Sequence, residues 1–130
     1  MKFKNKIYLD YSDVVSMCHN LEDLASTLKP DLIVGIVRGG LLPALHLSHA
    51  LDRPMETVTW QTRDENRQLF NDIVDSHIKN DNTVLFVDDI NDTGRTFKDL
   101  TKAYSAGTRR NVHFISLVEK HTSDFHGTAA

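Results

Sequence analysis

The chain reads as an α/β fold: an open, mostly parallel sheet flanked by helices, in a single domain spanning residues 1–130. Three observations point there. LIVGIV at 32–37 and TVLFV at 83–87 are unbroken apolar, β-rich runs rather than alternating ones, which is how strands covered on both faces read. Segments with helical spacing stand between these runs, and strand–helix alternation places a parallel sheet under two helical layers. The 130 residues are 40% hydrophobic, the size and apolar content of one ordinary domain with a real core.

Each element can be justified in turn. Apolar residues at 14, 17, 18, 21, 24, 25 and 28 form one stripe on a helix, with Ser12 or Asp13 as its N-cap and Pro30 beyond its end. LIVGIV is a covered strand. Arg38-Gly39-Gly40 then turns into LLPALHLSHAL, 41–51, a helix with Pro43 in its first turn, where the missing N–H costs little. METVTW, 55–60, suits a second strand. The charged segment 61–72 has no clean period and reads as a flexible loop, followed by a short helix near Ile73 to Ile78. TVLFV is the next covered strand, FKDLTKAYSA from Phe97 an amphipathic helix, and VHFISLV, 112–118, the last strand. Residues 121–130 remain as a short C-terminal tail, whose Gly127 to Ala130 reads as a frayed end.

Composition narrows the function. A net charge of −3 gives no general basic field, so neither nucleic acid nor an anionic membrane is an expected partner, and any anion must be held locally. No apolar run approaches the roughly 20 residues that cross a bilayer, and MKFKNKIYLDY lacks the apolar centre of a secretion signal. The lone Cys18 shares a helical face with Val14, Met17 and Leu21 and reads as a core thiol. A cytoplasmic protein is expected.

Chemistry is expected beyond the carboxyl ends of the strands, where an open α/β sheet places its ligands. Three turns converge there: Val37 to Gly40, Asp88 to Thr96, and Glu119-Lys120. In Asp92-Thr93-Gly94-Arg95-Thr96 the small and hydroxylated residues leave backbone N–H groups uncovered at a helix N-terminus, where they and the helix dipole hold a phosphate. No G-x-x-x-x-G-K-[ST] loop occurs, so ATP hydrolysis of that type is not indicated. Asp88 and Asp89, just upstream, read as two proton-free acceptors. Such a pair is costly unless something cationic or hydroxyl-bearing meets it, and a sugar diol with Mg²⁺ meets both needs. Taken alone, adjacent strand-end aspartates are ordinary solvated or capping groups; the turn that follows is what favours the ligand.

The run V-L-F-V-D-D-I-N-D-T-G-R-T resembles the phosphoribosyl-pyrophosphate signature of type I phosphoribosyltransferases: apolar residues, two acids, a spacer, then D-T-G-[KRG]-T. I33 to L51 is similar to the strand–turn–helix of the xanthine-guanine phosphoribosyltransferases, and HFISLVEK, 113–120, to their last core strand with its terminal lysine. The resemblance covers residues 7 to 120 and implies a Mg²⁺-dependent transfer of the phosphoribosyl group to a nucleobase, with a 6-oxopurine (purine salvage) as acceptor. It implies Asp88 and Asp89 as ribose and Mg²⁺ carboxylates, Asp92, Thr93, Gly94, Arg95 and Thr96 as the 5'-phosphate loop, and Arg38 and Gly39 as pyrophosphate ligands. It also implies a cis peptide at Val37-Arg38, Lys120 on the exocyclic oxygen of the purine, and Asp92 near the base, where it steers the proton of a ring nitrogen. Segment 61–72 falls where the family has a catalytic loop, with Arg63 and Arg67 assisting or merely solvated. Trp60 is a weak stacking candidate and reads better as core. The family continues after Lys120 into a hood that reads the base; here HTSDFHGTAA follows, with Phe125 as its ring. A homo-oligomer, dimer or tetramer, is the family's habit.

Other constellations fare less well. Asp-Thr-Gly also marks aspartic proteases, but in β-rich folds and without a following helix. LFVDD resembles receiver domains of response regulators, yet their acidic pair lies near the N-terminus. His46 and His49 share a helix face with no third ligand visible in sequence and no HExxH pattern, and read as surface or core-edge histidines. His113, His121 and His126 receive no role. The one competing class retained is a non-catalytic protein that binds phosphoribosyl pyrophosphate or a nucleotide with the same loops.

Overall fold

The computed structural model describes residues 11–59, 71–91, 95–104, 111–119 and 128–129. Their order is α1 (Tyr11–Leu28), β1 (Leu32–Val37), α2 (Leu41–Leu51), β2 (Met55–Thr59), α3 (Asp72–Lys79), β3 (Val84–Asn91), α4 (Arg95–Ala103), β4 (Val112–Glu119) and β5 (Thr128–Ala129). The strands form one five-stranded sheet in the order β2-β1-β3-β4-β5. All four pairings are parallel, so the carboxyl ends of β1 and β3, its central neighbours, lie at the same edge.

The unbroken apolar runs have the predicted cause: both faces of the sheet are covered. Leu32, Val34, Ile36, Val84 and Phe86 face a cluster completed by Val74 and Ile78 of α3, Phe97 and Leu100 of α4, and Tyr104. The alternate residues Ile33, Leu85, Val87, Ile115 and Leu117 face Cys18, Leu21 and Ala25 of α1 and Ala44 and Leu47 of α2. The two-residue period of a strand thus sorts one apolar sequence into two cores. Cys18 is buried as expected, and burial pushes its thiol up from its ordinary range. Aromatic rings hold α4 to the sheet: Phe86 stacks on Phe114 with centroids 5.2 Å apart, Phe97 meets Phe114 at 5.0 Å, and Tyr104 meets Phe86 at 5.9 Å.

Three boundaries depart from the sequence reading. Helix α1 begins at Tyr11, so Ser12 and Asp13 sit inside its first turn, where Asp13 still opposes the positive end of the helix dipole. Strand β3 runs on to Asn91, because pairing with β4 continues through Ile90↔Val118 and Asn91↔Glu119; the two aspartates therefore belong to the strand, not to the turn after it. The tail is not a fully frayed end, since Thr128 and Ala129 pair with Ile115 and Ser116 and give β4 an outer neighbour. Within 61–72, Asn71 and Asp72 form the cap and first residue of α3, and the rest lies outside the described residues, as do Trp60 and 121–127. No described helix is long and apolar enough to cross a membrane.

Candidate active site at the carboxyl ends of β1 and β3

The turn after β1 folds back on its own strand. Gly40 N donates to Ile36 O at 2.8 Å and Leu41 N to Arg38 O at 3.0 Å, which brings α2 directly off the strand end. The Val37–Arg38 peptide is cis, as the resemblance implied. Arg38 and Gly39 are exposed, while Gly40 is buried. Gly40 has an ordinary helical conformation, φ −81° and ψ −6°, so glycine is needed there for room and not for backbone freedom. A Cβ at that position would run into Val87 O and would stand 2.7 Å from Ile36 N.

The second half of the site is the acidic pair. Asp89 N donates to Asp88 Oδ1 at 2.8 Å, and successive residues of a strand alternate sides, so the two carboxyls leave the backbone in different directions. The Asp89 carboxyl lies directly against Gly39, where a Cβ would run into its carbon and both oxygens. The turn of β1 and the acid of β3 are thus one surface. Burial, and then the neighbouring Asp89 carboxyl, push the Asp88 carboxyl up to about 8. In a desolvated place beside a second carboxyl, the neutral form of Asp88 is favoured more than that of a solvated aspartate, which the sequence alone does not show. An all-oxygen pair that is desolvated and crowded by like charge is also what a hard divalent ion relieves, so Asp88 and Asp89 suit Mg²⁺ by donor type and by electrostatic need.

Of the other predicted residues, Arg95 and Thr96 form the first turn of α4, so the end of a helix does face this edge. Asp92, Thr93, Gly94 and Lys120 lie outside the described residues, as do Arg63, Arg67, Phe125, His121 and His126. Glu119, the residue before Lys120, pairs with Asn91 in the sheet, which brings the ends of β4 and β3 level. The structure therefore joins Val37, Arg38, Gly39, Asp88 and Asp89 in one place. What the sequence did not reveal is the packing of Asp89 on Gly39, because 50 positions separate them and no local pattern signals the approach. It also missed that His46 is met by His19 and Glu22 of α1 rather than by His49; those residues carry no shared motif with α2.

Residues 16–127 match the sequence profile of the phosphoribosyl transferase domain. The chain belongs to the phosphoribosyltransferase family. Among solved structures it is similar to a purine phosphoribosyltransferase from Pyrococcus horikoshii Ot3, at 26% identity and a TM-score of 0.75 over 93% of this chain and 83% of that one. It shares the fold of a hypothetical protein from Neisseria gonorrhoeae with bound ppGpp, at 22% identity and a TM-score of 0.70 over 100% of this chain and 78% of that one. It likewise shares the fold of the Helicobacter pylori xanthine-guanine-hypoxanthine phosphoribosyltransferase, at 19% identity and a TM-score of 0.67 over 92% and 81%. No curated protein matches the chain.

Proposed function

We propose that the protein transfers the 5-phosphoribosyl group of phosphoribosyl pyrophosphate to a nucleobase, a 6-oxopurine, and releases pyrophosphate, as a purine-salvage enzyme of the cytoplasm. The observation that carries this reading is the contact between the Asp89 carboxyl and Gly39, which makes one surface of the acidic pair and the turn of β1. In the reaction the bond from ribose C1 to the pyrophosphate oxygen breaks, its electron pair leaves with pyrophosphate, a bond to a ring nitrogen of the base forms, and that nitrogen gives up its proton. Asp92 is assigned to take or steer the proton. Asp88 and Asp89 hold the ribose hydroxyls and would hold Mg²⁺, which when bound supplies positive charge next to the pyrophosphate. Residues 92–96 cradle the 5'-phosphate on backbone amides at the start of α4. Arg38, exposed at the turn, offsets charge on the departing pyrophosphate together with the N–H groups of Val37 to Gly39. Lys120 donates to the exocyclic oxygen of the base. The loop before α3, segment 61–70, is assigned to exclude water from a ribosyl centre that carries positive charge in the transition state.

Assembly into a dimer or tetramer belongs to the same reading and is supported by Leu41, Leu42 and Leu45 of α2, each nearly half exposed. The test of the activity is incubation with Mg²⁺, phosphoribosyl pyrophosphate and, separately, guanine, xanthine, hypoxanthine, adenine, uracil and orotate. Nucleotide formed from the oxopurines supports the reading; formation from adenine, uracil or orotate alone moves the acceptor assignment. Tight donor binding with no nucleotide from any base favours the binding-protein reading, to which the nucleotide held by the similarly folded Neisseria protein lends a precedent in fold.

A further inference from the structure

Three metal-ligating side chains meet where α1 packs on α2, away from the strand-end site. His19 and Glu22 are one turn apart on α1, the i, i+3 spacing that sets side chains next to each other on a helix. His46 reaches them from α2. Glu22 Oε1 lies 3.1 Å from His19 Nδ1 and 2.5 Å from His46 Nε2, so both imidazoles aim at one carboxylate oxygen. Their rings stand edge to face, centroids 4.9 Å apart at 86°. One donor atom from each residue lies within 4.8 Å of the other two, and among the described residues this is the one trio of metal-ligating types so arranged.

The donor set is two imidazole nitrogens and one carboxylate oxygen. That combination suits borderline divalent ions, Zn²⁺ above all, and not Mg²⁺, which prefers oxygen and water. Zn²⁺ takes histidine nitrogen at about 2.0–2.1 Å and carboxylate oxygen at about 2.0–2.2 Å, so tetrahedral ligands stand about 3.3 Å from one another. The 3.1 Å His19–Glu22 separation already matches; to take the ion, His46 opens from Glu22 by under an ångström and the two imidazole nitrogens, within 4.8 Å of each other, turn toward a shared point. The helices carrying the three residues are held by their own core, in which Cys18, Leu21 and Ala25 of α1 pack with Ala44 and Leu47 of α2, so the backbone is placed before any ion arrives. His19 is 61% and Glu22 31% exposed, so the three donors are open to solvent, which supplies an entry path and water for a fourth position.

We propose that His19, Glu22 and His46 bind a divalent transition-metal ion of the Zn²⁺ class, joining α1 to α2 independently of the transferase reading. Such an ion binds the folded chain, where the three donors are together, and so stabilises it by mass action. The test is calorimetric titration of the metal-free full chain with Zn²⁺ in excess Mg²⁺, with Co²⁺ as an optical probe and thermal melting as a second readout. One Zn²⁺ per chain is expected at this site, with a raised melting temperature and visible Co²⁺ bands. His19→Ala, at an imidazole that is 61% exposed and so dispensable for folding, is expected to weaken Zn²⁺ binding about tenfold or more, and His46→Gln likewise. His49→Ala is expected to change neither affinity nor the melting shift. Unchanged affinity in His19→Ala and His46→Gln, displacement of Zn²⁺ by Mg²⁺, or loss of binding in His49→Ala alone would overturn the proposal.

Discussion

Gly39 and Gly40 are neighbours in the chain with opposite demands. A methyl group on Gly40 meets the backbone of Val87 and Ile36, which cannot yield without shifting two central strands, so Gly40→Ala is expected to cost about 1–3 kcal/mol by overpacking. On Gly39 the atoms nearest to it all belong to the Asp89 carboxyl, a side chain and not backbone, so a rotation of Asp89 relieves the contact without moving a strand. Gly39→Ala is therefore expected to melt close to the wild type while binding phosphoribosyl pyrophosphate much more weakly; chemical denaturation and donor titration of the two variants check the contrast. Asp89→Asn should likewise weaken Mg²⁺-dependent donor binding, and unchanged affinity would remove that carboxylate from its assigned role. Lys120→Ala should raise KM for oxopurines with donor binding nearly intact. Asp88 carries a pH signature. Its folded value, about 8, lies above the ordinary carboxyl value near 3.9, so its contribution to stability is fully present below about pH 4 and is lost as pH rises through about 8. Denaturation from pH 4 to 9 should show stability falling with pH, by at most about 1.4 kcal/mol per unit for this one proton, and Asp88→Asn should flatten that slope.

At the level of elements, the start of α3 is tied at Asn71 to Tyr104, just past the end of α4. Asn71 caps α3 by accepting from Ile73 N at 2.9 Å and Val74 N at 3.2 Å, and its amide donates to Thr57 O of β2 at 3.3 Å. Its own backbone N–H donates to the Tyr104 hydroxyl at 3.2 Å. Burial pushes that hydroxyl up to about 12, so it stays a neutral phenol and not a phenolate. Asn71→Ala is expected to cost about 1 kcal/mol through the lost cap, and Tyr104→Phe about 1 kcal/mol through the orphaned N–H; because both anchor one junction, the double variant should cost less than their sum. On the same face, Phe86→Ala removes the ring that stacks on Phe114 and supports Tyr104, at about 3–5 kcal/mol. Urea unfolding of this set checks all three values.

Across the whole molecule, the two cores lie on opposite faces of one sheet and meet different tasks. The face under α3 and α4 carries the aromatic cluster and supports the start of α4. The opposite face, under α1 and α2, packs aliphatic residues and carries the histidine–glutamate trio at its outer margin. Both helices that begin at the candidate active edge, α2 and α4, thus rest on separate cores. A substitution such as Phe86→Ala is expected to loosen the start of α4 more than the turn after β1; under the proposed function, donor and pyrophosphate titrations separate the two. Sedimentation velocity is expected to give a dimer or tetramer at micromolar concentration; a monomer would remove oligomerisation from the functional reading.

Local sequence alone determined the α/β class, the places of β1 to β4 and of the helices, and the adjacent acids at the end of β3, because periodicity and glycine turns are short-range signals; β5, read as a frayed end, was not among them. Strand β3 was read too short, since its last residues are extended by pairing with β4 and not by their own propensity. Tertiary structure alone decided that Asp89 packs on Gly39, that burial beside a second carboxyl raises Asp88, and that His46 finds His19 and Glu22. Those are properties of distance and desolvation between segments far apart in the chain, and they exist only once the sheet has brought the segments together.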